Sequence, residues 1–165
     1  MYRVFLSLYS VLYSLLLPLY LLVFIYRALF QDKSLSSFLQ RIGKPPQILD
    51  DTSAIRIWIH AVSVGEVKAI KPLIDALKTE DYQLLVSTVT QTGQKIASDL
   101  FGDKAQIFYL PLDWQWICRR CLITTKPKVI LIAESELWPG FIAAAHSLKI
   151  PTLIVTREKS KITLS

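Results

Sequence analysis

The 165-residue chain contains neither G-x-G-x-x-G nor G-x-x-x-x-G-K-[ST], so neither dinucleotide binding nor P-loop phosphate chemistry is supported. Cysteine is scarce: Cys118 and Cys121 form one C-x-x-C, with no second pair and no histidine at zinc-ligand spacing. A redox pair belongs at a helix N-terminus after a strand, where the thiolate is stabilised. This pair lies inside WQWICRRCL, in mid-helix, and two unpaired cysteines suit a reducing compartment. No cluster of metal ligands is visible, so no metal and no cofactor are expected. Internal repeats and low-complexity tracts are missing as well. The net charge is +6 and the pI about 9.4, yet no Lys/Arg stripe is interleaved with aromatics, which argues against nucleic acid.

Charge is also missing from Val4 to Tyr26, a run flanked by Arg3 and Arg27. As one helix it would span roughly 34 Å, enough to cross a bilayer. The run is too long for a signal peptide h-region and no A-x-A-like site follows, so an uncleaved single-pass anchor is expected. Arg27, Lys33, Arg41 and Lys44 follow it, which places the rest of the chain on the cytoplasmic side of the membrane. The overall hydrophobic fraction of 52% reflects this segment more than an unusual core. Residues 31–53 read as a juxtamembrane linker with Pro45-Pro46. In it Leu35, Phe38, Leu39 and Ile42 recur at helical spacing, to lie on the bilayer or pack on the domain.

From residue 54 to residue 155, apolar runs alternate with longer amphipathic ones. Strands are predicted at Ile55–Ile59, Leu84–Thr88, Gln106–Tyr109, Val129–Ala133 and Thr152–Val155, about 25 residues apart, as strand–helix–strand units require. Val67, Ile70, Leu73, Ile74 and Leu77 share one helical face, and so do Trp138, Phe141, Ile142, Ala145 and Leu148. Near-continuous apolar strands such as VILIA imply burial on both faces. The fold class is therefore α/β, an open, doubly wound, mostly parallel Rossmann-like sheet behind the N-terminal helix.

Ligands of such sheets bind outside the carboxyl ends of the strands. That rule selects four loops: HAVSVGE, TVTQTG, YLPLDW and ESELWP. Ser63 and Glu66 fit the S-x-x-E of a capping box. Gly65 also permits close approach to the backbone, and a carboxylate in a first helical turn is placed to act as a general base. Glu134 and Glu136 end the most apolar strand on one side of an extended segment, either favouring the next helix N-terminus or stabilising positive charge in a transition state. Thr88, Thr90, Gln91, Thr92 and Gly93 open another helix, as a plain cap or as an anion or hydroxyl site. Asp113 is expected to cap the helix that follows it. His60 reads as a structural hydrogen-bonder.

Taken together, WIHAVSVGE (Trp58 to Glu66), T-x-T-x-T-G (Thr88 to Gly93), Y-L-P-x-D (Tyr109 to Asp113) and E-S-E-L-W-P (Glu134 to Pro139), behind LLLPLYLL, resemble the N-terminal half of the Kdo transferases. The resemblance runs from about residue 4 to residue 155. It implies a GT-B glycosyltransferase of lipopolysaccharide synthesis, with two Rossmann-like domains facing a cleft. The N-terminal domain would receive a lipid A precursor held at the membrane, and the second would hold CMP-Kdo. By the same resemblance Glu66 is the base that deprotonates the acceptor hydroxyl, and Glu134 stabilises the transition state. Ser63, Gly65, Thr88, Thr90, Thr92, Gly93 and Glu136 would line the acceptor site.

The resemblance lapses in residues 156–165, where the family shows an Asn-small-basic-apolar-Ser motif and this chain reads TREKSKITLS. Family members continue for a second domain, so a truncated, frame-disrupted or separately completed half-enzyme is expected. CMP-Kdo would bind only where that domain is supplied. The alternative is a non-catalytic, membrane-tethered module that binds the lipid A precursor.

Overall fold

The computed structural model describes residues 2–16, 18, 35–46, 54–77, 81–134, 138–156 and 163–164. Two helices, α1 (Tyr2–Leu15) and α2 (Leu35–Arg41), precede the sheet. Its strands are β1 (Ile55–His60), β2 (Tyr82–Thr88), β3 (Ala105–Tyr109), β4 (Val129–Ala133), β5 (Thr152–Val155) and β6 (Thr163–Leu164), in the order β3-β2-β1-β4-β5-β6. The first five pair in parallel, and β6 adds to β5 antiparallel. All five predicted strands are present, longer by up to two residues at an end.

Parallel strands need crossovers, and helices supply them. α3 (Val64–Ala69) and α4 (Lys71–Leu77) lie between β1 and β2, and α5 (Gln91–Phe101) joins β2 to β3. α6 (Gln115–Thr125) returns the chain to β4, and α7 (Pro139–Ser147) joins β4 to β5. The apolar face expected from Val67 to Leu77 is divided between α3 and α4. Pro72 has no N–H to offer the Lys68 carbonyl, and α3 closes with the Ile70 N–H donated to the Glu66 carbonyl at 3.0 Å.

Alternation along β1 sends its side chains to two separate cores. Ile57 and Ile59 pack with Val67, Ile70, Ile74, Ala97 and Phe101 from α3, α4 and α5. Trp58 packs on the other face with Cys118, Cys121 and Leu122 of α6 and Phe141, Ala144 and Ala145 of α7. The sheet is thus doubly wound, as expected.

Two N-terminal expectations change. The membrane-crossing helix predicted from Val4 to Tyr26 is not borne out. Regular helix α1 has 14 residues, about 21 Å, and among the described residues no helix is long and apolar enough to cross a membrane. One side of α1 instead lies on the domain. Tyr9 Oη donates to Asp113 Oδ2 at 2.8 Å, Trp114 Nε1 donates to Ser14 Oγ at 2.9 Å, and Tyr13 meets the Trp114 ring edge-on. Residues 17 and 19–34, which include the rest of that expected helix, lie outside the described residues. The open question over α2 is decided in favour of packing on the domain. Gln40 Oε1 accepts the Tyr109 N–H at 2.9 Å, and Arg41 donates to the Val89 carbonyl at 2.7 Å while lying over the Tyr109 ring.

Trp58 is the largest fully buried side chain, 4.9 Å from the Phe108 ring and 5.1 Å from that of Phe141, with its N–H donated to Ser87 Oγ at 2.7 Å. Trp58→Ala removes this packing and one of the two partners of the Ser87 hydroxyl, so urea unfolding should show a loss of about 3–5 kcal/mol. A loss below about 1 kcal/mol would mean that this ring does not anchor the core beneath α6 and α7.

Candidate functional site

Strand order locates the site. From β1 the chain winds outward through β2 to β3, then returns across to β4 and winds the other way to β5. The reversal falls between β1 and β4, which are neighbours paired from Ile57↔Val129 to His60↔Ile132. In an open α/β sheet the crevice at this reversal is where ligands bind. The loop after β1 carries Glu66 and the loop after β4 carries Glu134, so both carboxylates flank the crevice.

Glu66 stands in the first turn of α3, half-buried. Its Oε2 accepts the Val62 N–H at 2.6 Å, and its Oε1 accepts the Ser63 hydroxyl at 3.1 Å. Ser63 Oγ in turn accepts the Glu66 N–H at 3.4 Å. This is a reciprocal capping box, shifted by one residue because Val62 supplies the amide in place of the cap residue. Each carboxylate oxygen has two lone pairs, so capping fixes the rotamer and leaves acceptor capacity on both oxygens.

The TVTQTG loop abuts this turn. Thr90 caps α5, accepting the Gly93 N–H at 3.0 Å, and its hydroxyl lies 3.5 Å from the Val62 carbonyl. A Cβ on Gly93 would press on Thr90 Oγ1 and approach the Val62 carbonyl at 3.3 Å, so glycine lets the two loops meet. Thr92 Oγ1 reaches Thr90 Oγ1 at 3.4 Å, while buried Thr88 donates to Gln94 at 2.6 Å. Ser63, Glu66, Thr90, Thr92 and Gly93 are therefore one cluster. Gly65 is exposed beside it, with only Ser63 Oγ near its missing Cβ. Arg41 braces the same loop from α2 through Val89.

Across the crevice Glu134 adopts φ 60°, a left-handed conformation uncommon outside glycine. Such strain persists only where surrounding contacts over-determine it, and it concentrates at functional sites. One contact is direct: the Glu134 N–H donates to the Val155 carbonyl at 2.9 Å. Glu136 lies outside the described residues.

Asp113 departs from expectation. α6 begins at Trp114 with no side-chain cap, and the Asp113 carboxylate is turned to α7, 27 residues away. Oδ1 accepts the Phe141 N–H at 2.7 Å and Oδ2 the Gly140 N–H at 3.0 Å. Burial pushes the Asp113 carboxyl above its ordinary range, opposed by hydrogen bonds from Gly140, Tyr9, Phe141 and Cys118. Nothing in local spacing marks this link, because its partners are distant in sequence. Gly140, in W-P-G, was the available signal: a Cβ there would collide with the Asp113 carbonyl.

His60 is wholly buried, its Nδ1–H donating to the Ser87 carbonyl at 3.1 Å with Ser87 Oγ at 2.9 Å. Its Nε2 and the Trp138 Nε1 are buried without a hydrogen-bond partner among the described residues. The two rings lie 6.5 Å apart, edge to face. Cys118 and Cys121 are buried in α6, and burial pushes the Cys121 thiol up to about 12, opposite to a redox thiol. Among the described residues no group of three His, Cys, Asp or Glu is placed to hold a metal ion.

A profile of the 3-deoxy-D-manno-octulosonic-acid transferase (kdotransferase) family matches residues 36–160. The chain is 37% identical over 107 residues to 3-deoxy-D-manno-octulosonic acid transferase of Haemophilus influenzae, covering 63% of this chain and 25% of that protein. Against the Rickettsia bellii transferase of the same name it is 34% identical over 142 residues, 84% of this chain and 33% of that protein. A probable mitochondrial 3-deoxy-D-manno-octulosonic acid transferase of Arabidopsis thaliana is 34% identical over 121 residues, 68% of this chain and 27% of that protein. The chain spans about a quarter to a third of the length of these curated relatives.

Burial lowers the His60 pKa from 6.5 to about 4. The unfolded chain then binds more protons than the folded one between those values, so stability falls as pH drops through that window. The full loss from this group is about 3 kcal/mol. Asp75, held at about 2 by hydrogen bonds from Lys104 and Lys71, acts only below its ordinary 3.8. His60→Gln should flatten the stability profile between pH 6.5 and 4, measured by urea unfolding. An unchanged slope would assign the acid sensitivity elsewhere.

Proposed function

Because the chain belongs to the 3-deoxy-D-manno-octulosonic-acid (Kdo) transferase family, we propose that it is the acceptor half of a glycosyltransferase. It takes a lipid A precursor at a membrane surface and receives Kdo from CMP-Kdo, the donor being held by a second domain outside residues 1–165. The observation that carries this reading is the pair of carboxylates at the two sides of the crevice between β1 and β4.

The chemistry needs a base and a stabilised cation. Glu66 takes the proton from an acceptor sugar hydroxyl, whose oxygen bonds to the anomeric carbon of Kdo as the bond to the CMP phosphate breaks. Positive charge gathers on that carbon as the bond breaks, and Glu134 stabilises it electrostatically. Ser63 holds Glu66 in its rotamer, and Gly65 leaves the approach to it open. Thr90 and Thr92 offer hydroxyls to the acceptor, with Glu136 as a further acceptor contact, while buried Thr88, bonded to Gln94, and Gly93, whose N–H is donated to Thr90, shape the loop.

Membrane contact is supported by α1. With Tyr9, Tyr13 and Ser14 turned to the domain, Val4, Phe5, Leu8, Val11, Leu12 and Leu15 are exposed along its outer side. An apolar stripe of this kind lies in the plane of an interface, keeping the domain beside a lipid-linked acceptor.

Transfer from CMP-Kdo to a lipid A precursor, assayed with the C-terminal half of the Haemophilus influenzae relative added, tests the reading. Glu66→Gln should lower kcat by about 10²–10⁴-fold, the usual contribution of a general base. Full activity in Glu66→Gln would remove Glu66 from that role. Leu8→Asp with Leu12→Asp should weaken co-sedimentation of the 165-residue chain with phosphatidylglycerol vesicles by about tenfold or more. Equal binding would show that α1 is not the contact.

A further inference from the structure

We infer that Asp113 is a positioning residue for the loop that carries Glu134, clamping the start of α7 from a different crossover. The inference rests on the reading of Glu134 as a functional carboxylate. Three observations converge on it. First, the carboxylate caps no backbone amide of α6, which starts without a side-chain cap and meets it only through the Cys118 thiol at 3.8 Å, while both Asp113 oxygens accept backbone amides of α7 at 2.7 and 3.0 Å. Secondly, Gly140 brings the α7 backbone against the Asp113 backbone, at a spacing no other residue allows without displacement. Thirdly, the loop is held at its other end by the Glu134 N–H on the Val155 carbonyl.

The strained Glu134 conformation therefore sits between two fixed points, with Pro139 limiting φ beside the second. A cap drawn from the same loop would move with the loop. One drawn from the β3–α6 connection ties it to a separate crossover on the same face of the sheet. Tyr9 adds a further donor to Oδ2 at 2.8 Å, so α1 helps to hold the clamp. Only a carboxylate suits this position. It faces the Gly140 and Phe141 amides, the Tyr9 hydroxyl and, at 3.8 Å, the Cys118 thiol. Asparagine would turn an N–H₂ group towards one of those donors.

The test combines hydrogen exchange with kinetics. In the 165-residue chain, Asp113→Asn should raise amide exchange at Gly140 or Phe141 by about tenfold or more while unfolding stays cooperative. With the relative's C-terminal half added, the same variant should lower kcat by about tenfold with acceptor KM within about twofold. A merely structural role would reduce the amount of folded protein and leave kcat per folded molecule unchanged. If Asp113→Asn fails to fold, Tyr9→Phe, which removes one donor, should still lower kcat by about threefold. Unchanged amide exchange, or lost protection with unchanged kcat, overturns the positioning role while the proposed activity stands. Absence of transfer by the unsubstituted protein overturns that activity and this inference together.

Discussion

Burial of β1 on all sides organises this molecule. The strand has parallel partners at both edges, β2 and β4, and helices on both faces. Every backbone group inside it must then be satisfied by a neighbouring strand, and every side chain must suit one of two cores. Trp58 fills the core beneath α6 and α7, while Ile57 and Ile59 fill that beneath α3, α4 and α5. Because the winding direction reverses at β1, its carboxyl end faces the crevice, and the HAVSVGE loop has no other way to leave the sheet. The position of Glu66 follows from that constraint.

Capping and catalysis are compatible at Glu66. A reciprocal box with Ser63 and the Val62 amide holds the carboxylate in one rotamer at the crevice edge. A general base gains from being held in this way, since a flexible carboxylate would have to be ordered in each turnover. Glu134 is arranged differently. Its placement depends on a backbone conformation that surrounding contacts must enforce. The two sides of the crevice thus use a local motif on one and long-range bonds on the other.

That contrast explains what could be read from residue order. The five parallel strands were legible because burial on both faces leaves uninterrupted apolar runs such as VILIA. The Ser63–Glu66 box was legible because its partners are three residues apart. The Asp113 bond to α7 was not, since its partners are 27 and 28 residues away and a cap of the adjacent α6 fitted the local pattern equally well. The course of α1 was not legible either. An uncharged run from Val4 predicts a spanning helix by hydropathy, whereas Tyr9, Tyr13 and Ser14 place one side of it on the domain.

The order of residues by itself determined the α/β class, the strands, the four loops at their carboxyl ends and the family. Each of these depends on short-range periodicity or on contiguous motifs. Tertiary structure alone decided which loops flank the β1–β4 crevice and how α1 and α2 lie on the domain. It also decided that Asp113 serves α7 and not α6. Those outcomes depend on strand order and on hydrogen bonds between distant segments, whose energies are set by burial and geometry that no local pattern encodes.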